Sequence, residues 1–159
     1  MNPAHLHLIT THLPVMGTFF GLGLLLFALL RRNRQLKSLA LLVFVVTALL
    51  TLPVYLSGAP ASDLLRRLMP GMTMDAGDQH AEMAILALVG SLALGVVSLA
   101  GLILFRKGRT PPAAFLVFVL LLAVLSGGLL SWTANLGGRI RHLEIRPQTS
   151  AMPPGTVAA

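Results

Sequence analysis

The chain has 159 residues, of which 55% are hydrophobic and only 11% charged, and its mean hydropathy is +0.83. Soluble domains carry roughly 25% charged residues, so this composition is that of a single-domain membrane protein. The formal charge is +7, but the basic residues fall between apolar runs, where they set topology and do not mark a nucleic-acid partner. There is no cysteine, which excludes disulfides, thiolate metal sites and thiol catalysis.

Four apolar runs follow one another, at about 8–30, 39–56, 81–105 and 113–136. Each is near the roughly 20 residues that cross a hydrocarbon core as a helix. The first run lacks a basic leader and an Ala-x-Ala site, so it reads as a span and not as a cleaved signal. The connection after it carries Arg31, Arg32, Arg34 and Lys37, and the one after the third run carries Arg106, Lys107 and Arg109. The positive-inside rule puts both in the cytoplasm and both termini outside, although Arg66, Arg67, Arg139, Arg141 and Arg146 then also lie outside. Tyr55 and Trp132 fall near the outer ends of the second and fourth helices, as belt aromatics do.

The longest connection, about 57–79, contains ASDLLRRLM, which reads as a short surface helix capped by Ser62 or Asp63, with Leu64, Leu65 and Leu68 toward lipid. PGMTMDAGDQ would break it, and Asp78 would cap the third spanning helix. The tail 147–159 reads as disordered.

In this topology all five histidines, His5, His7, His12, His80 and His142, lie at the outer face. His5 and His12 are nearly two helical turns apart and share a stripe with Met16, while His7 points elsewhere. His80 opens the third helix, with Met83 and Ala84 one turn on. The chain also reads as a weak two-fold repeat, in which each half has an outer histidine, a descending helix, a basic loop and an ascending helix. His12 and His80 would face each other across that axis. Two facing imidazoles suit haem iron or a bare metal ion. Met69, Met72, Met74 and Met83 near His80 would suit copper(I).

On the fourth helix Gly127, Ser131, Asn135 and Gly138 form a small, polar stripe toward the interior, and Arg139 and Arg141 at its end could neutralise haem propionates. Plainer roles compete with these. The histidines could be interfacial residues, the Ser131/Asn135 stripe interhelical hydrogen bonding, and the methionines lipid anchors. Gly17, Gly21, Gly90, Gly95 and Gly101 are close-packing positions. Glu82 suits the first turn of a helix, and a proton-handling role competes with that. No catalytic triad, phosphate loop or carboxylate pair stands out, so nothing in the sequence points to a hydrolase and no reaction is assigned.

The segments HLITTHLP (His7 to Pro14), His80-Ala81 and NLGGRIRH from Asn135 resemble an uncharacterised family of small bacterial four-helix membrane proteins, a domain of unknown function. That family opens with a pattern like H-P-x-x-V-H-F-P and has a His-Ala near its third helix and a Gly-Gly after its fourth. Leu8 and Leu13 here stand where the pattern has proline and phenylalanine. The resemblance covers most of the chain in outline through short motifs. Some members are fused to cytochrome c-like or Rieske-like modules, which implies redox company. It marks His7, His12 and His80, and so sets His7 beside His12 where the stripe sets His5.

The expectation is therefore an all-α, four-helix bundle in the bacterial inner membrane, spanning within 1–146, with both termini periplasmic. It would bind a redox cofactor, b-type haem, at its outer side, with His12 and His80 as axial ligands, His7 or His5 beside them, and Arg139 and Arg141 on the propionates. Its electron partners would be a periplasmic redox protein or quinol, and an oligomer is compatible with the sequence. The alternatives are a copper or zinc site at His12, His80, His5 and Met83, or a non-catalytic membrane subunit or assembly factor. No histidine lies in the inner half of any helix, so a haem pair spanning the bilayer cannot be built from this chain alone.

Overall fold

The computed structural model describes residues 3–68, 75–106 and 109–141. Among them the chain is all-α: α1 Pro3–Thr10, α2 His12–Leu30, α3 Arg34–Leu68, α4 Asp75–Leu104 and α5 Ala113–Arg141. Four apolar segments are long enough to cross a membrane: Ala4–Leu30, Arg34–Leu68, Gly77–Leu104 and Ala113–Ile140. Only about a third of an 18-residue apolar stretch within each is buried (28–33%). Phe20, Leu30, Leu49, Val96 and Leu121 stand exposed around the outside, which is the surface of a multi-pass membrane protein facing lipid.

α1 and α2 together form the first span, with a break at Thr11. The cause is Pro14, which has no N–H to offer the Thr10 carbonyl. The Thr11 amide still reaches the His7 carbonyl at 3.0 Å, and the Thr10 hydroxyl donates to the Leu6 carbonyl at 2.8 Å, so the chain stays helical on both sides. α2 ends with the Asn33 amide bonded to the Ala28 carbonyl at 3.1 Å and the Arg32 amide to the Leu29 carbonyl at 3.1 Å. This is the Schellman arrangement, and it puts Arg32 in the left-handed region at φ 51°. The Asn33 side chain then accepts from the Leu36 amide at 3.1 Å and opens α3.

The helices are longer than the apolar runs. α3 continues through Pro53 and Pro60 to Leu68. At about 1.5 Å per residue, its 35 residues extend over roughly 52 Å, well beyond a hydrocarbon core of about 30 Å. The segment expected as a separate surface helix is the end of α3, and Ser62 and Asp63 lie inside it. Asp78 likewise lies inside α4 and does not cap it. It pairs instead with Arg66 at 3.5 Å, both side chains exposed. Of the expected break PGMTMDAGDQ, Asp75 to Gln79 instead begin α4, while 70–74 lie outside the described residues, as does the tail 147–159.

α2, α3, α4 and α5 pack in a closed up-and-down ring, each against the next and α5 against α2, with α1 against the far end of α3. One end of the bundle holds Arg31–Asn33, the end of α4 and the start of α5, and the other holds the start of α1, the end of α3, the start of α4 and the end of α5. The core near the basic end is large and apolar: Leu25, Leu41, Phe44, Leu94, Leu116 and Val119. Helices approach closely where a glycine meets a bulky neighbour, as Gly21 meets the Phe44 ring and Gly101 the Phe115 ring.

Candidate functional site

The histidine end is built from a repeated element. His7, half-buried on α1, sets its Nδ1 3.1 Å from the Val54 carbonyl and 2.9 Å from the Ser57 hydroxyl of α3. A carbonyl can only accept, so Nδ1 of His7 carries a proton. The Ser57 hydroxyl donates to the same Val54 carbonyl at 2.8 Å, which leaves its oxygen free to accept from His7. His80, half-buried on α4, donates from Nδ1 to the Thr133 carbonyl of α5 at 2.9 Å. In each neutral ring the other nitrogen, Nε2, is then the one with a free electron pair. The two rings meet at 6.3 Å between centroids with their planes at 88°.

The same local device exposes both carbonyls. In a helix the carbonyl of residue i lies beneath residue i+4. Four residues beyond Val54 is Gly58, and four beyond Thr133 is Gly137. A Cβ on Gly137 would stand 3.2 Å from Cε1 and 3.3 Å from Nδ1 of His80, and one on Gly58 would stand 3.5 Å from Cε1 of His7. The two glycines open the way for an imidazole to reach the backbone. The register that carries His7 onto His80 also carries Gly17-Thr18 onto Gly90-Ser91, and the register that carries Val54 onto Thr133 carries Gly58 onto Gly137 and Thr47 onto Ser126. The weak repeat is thus expressed in side-chain contacts.

The expected partners are sorted by this geometry. His80 is in the site, but the ring beside it belongs to His7, not His12. His12, His5 and Met16 are all exposed, so the stripe they share faces outward. Met83 is half-buried one turn beyond His80, and Glu82 is exposed. Arg139 is half-buried with its guanidinium 5.9 Å from the Trp132 ring. Arg141 ends α5, and its side chain, with His142, Met69, Met72 and Met74, lies outside the described residues. On α5, Gly127 is buried against Thr18 and Phe19, Ser131 and Gly138 are half-buried, and Asn135 is exposed. The buried hydroxyl of that helix is Ser126, which the small-polar stripe passed over. Among the described residues no group of three or more His, Cys, Asp or Glu is placed to hold a metal ion.

Comparison with protein families, with curated proteins and with solved structures found no match.

Proposed function

We propose that this protein is a bacterial inner-membrane protein that binds b-type haem at the periplasmic end of its bundle, where His7 and His80 would hold it. The observation that supports this most is the matched tethering of the two imidazoles, each through Nδ1 to a helix carbonyl. Histidines that ligate metals characteristically donate their other ring N–H in this way, which fixes the tautomer and aims the ring. The two rings, 6.3 Å apart between centroids, would together offer the iron two imidazole nitrogens.

Two imidazoles favour haem over a bare ion. Structural zinc takes four protein ligands and catalytic zinc three. Haem iron brings four nitrogens of its own and asks the protein for two. Arg139 and Arg141, at the end of α5, whose Thr133 carbonyl accepts from His80, would neutralise propionates. Electrons would pass at the outer face, to or from a periplasmic redox protein or quinol. Copper(I), with Met83 as a further soft ligand, is the competing occupant. In the plainest reading both histidines only fasten α1 to α3 and α4 to α5 in a non-catalytic subunit.

Haem and metal content of the detergent-purified protein, expressed with both supplied, separates these readings. The proposal predicts one haem per chain, lost in His7→Ala and in His80→Ala. Copper without haem transfers the site to the bare ion. A folded protein with neither overturns the proposal.

A further inference from the structure

Midway down the bundle, two to three turns below the histidines, the core changes character. Thr18, Thr47, Thr51, Ser91 and Ser126 are all buried, at 0%, 3%, 5%, 1% and 0% exposure. They form one layer, because contacts close a ring through all four long helices. Thr51 and Ser91 share a hydrogen bond of 2.9 Å between α3 and α4. The Ser126 hydroxyl lies 3.3 Å from where Gly90 would place a Cβ, joining α4 to α5. A Cβ on Gly127 would stand 3.6 Å from the Thr18 methyl, setting α5 beside α2, and one on Gly17 would press on the Thr47 hydroxyl, setting α2 beside α3.

The hydroxyls are not equally satisfied. Thr18 donates to the Pro14 carbonyl at 2.8 Å and Thr51 to the Thr47 carbonyl at 2.9 Å. Since the Thr51 proton is committed there, Ser91 donates to Thr51. The Ser126 hydroxyl, fully buried and facing Gly90, has no hydrogen-bond partner. A buried hydroxyl left unpaired costs about 1–3 kcal/mol, and such groups are commonly satisfied by internal water. Ser98 is a second unpartnered hydroxyl, but Leu94 of the apolar core separates it from this layer along α4.

We propose that the hydroxyl layer binds internal water at Ser126, whose buried hydroxyl has no other partner. The ligand is water and not a cation, because the layer is neutral and the described acids with defined surroundings, Asp63, Asp78 and Glu82, are all exposed at the histidine end. Below the layer Leu25, Leu41, Phe44, Leu116 and Val119 close the core. This inference is independent of what the histidines hold.

Water-edited solid-state NMR of the full chain in lipid bilayers tests it directly. Magnetisation from water is expected to reach the Ser126 and Ser91 side chains several-fold faster than Phe44 and Val119. Equal, slow transfer to all four overturns the proposal. Ser126→Ala supplies a second readout. With water bound, the variant loses the rapid transfer at Ser91 and is no more stable than the parent. If the site is dry, it removes an unpaired hydroxyl and is more stable, which also overturns the proposal.

Discussion

His7 and His80, from the two halves of the chain, stand 6.3 Å apart with perpendicular rings, and each is tied through Nδ1 to a carbonyl whose covering residue is glycine. The pairing joins the first span to the third across the mouth of the bundle, and its histidine, carbonyl and glycine each occur twice. A ligand held between the rings would sit on the pseudo-two-fold axis.

Removing either ring should empty the site. His7→Ala and His80→Ala are expected to lose the cofactor entirely, whereas His12→Ala, at an exposed position, should keep it. Cofactor-to-protein ratios of the three purified variants check this. Loss in His12→Ala with retention in His7→Ala would return the site to the outward stripe.

Gly137 and Gly58 should differ. A methyl at Gly137 presses on the His80 ring at 3.2 Å, closer than ordinary contact, while at Gly58 it meets His7 at 3.5 Å, within it. Disturbing the group that orients a metal-binding histidine typically weakens metal affinity by about 10–100-fold. Gly137→Ala is expected to fall in that range and Gly58→Ala to stay near the parent, as read by titration of the cofactor into the emptied protein.

Gly95 faces Ala48 across α3 and α4 with no room for a second methyl. Gly95→Ala should cost about 1–3 kcal/mol by overpacking. Ala48→Gly in the same chain should recover most of that. Unfolding of the single and double variants in mixed micelles measures the coupling.

Arg32 holds a left-handed conformation at φ 51°, which costs an ordinary residue roughly 1–2 kcal/mol. Arg32→Gly is expected to stabilise the fold by about 1 kcal/mol, after the entropy glycine adds to the unfolded chain. The same unfolding assay reads it. Destabilisation would mean that the Arg32 side chain makes a compensating contact.

The spans were legible because length and flanking charge decide them, and neither depends on packing. Their ends were not. The apolar run of the second helix stops near Leu56, but α3 continues to Leu68 because a helix beyond the bilayer needs no apolar surface. Which histidine faces inward was written in the sequence, though not in its hydrophobic pattern. In lipid the outside is as apolar as the inside, so the interior face is marked by small residues. Counting back from Ala28 through Gly21, Thr18 and Pro14, all buried, leads to Thr11 and His7. The stripe through His12 runs instead to Met16, which is 68% exposed. On α4 the same rule leads from Ser98 and Ser91 through Ala87 and Ala84 to His80. The carbonyls of Val54 and Thr133 carry no side-chain signal, and only the glycines four residues on, Gly58 and Gly137, mark them.

The most direct test of the account is a reduced-minus-oxidised absorption spectrum of the purified protein beside its His7→Ala and His80→Ala variants. The account predicts the sharp bands of a b-type haem in the parent and their loss in both variants. A featureless spectrum from folded, haem-supplied protein, or bands that survive both substitutions, would contradict it.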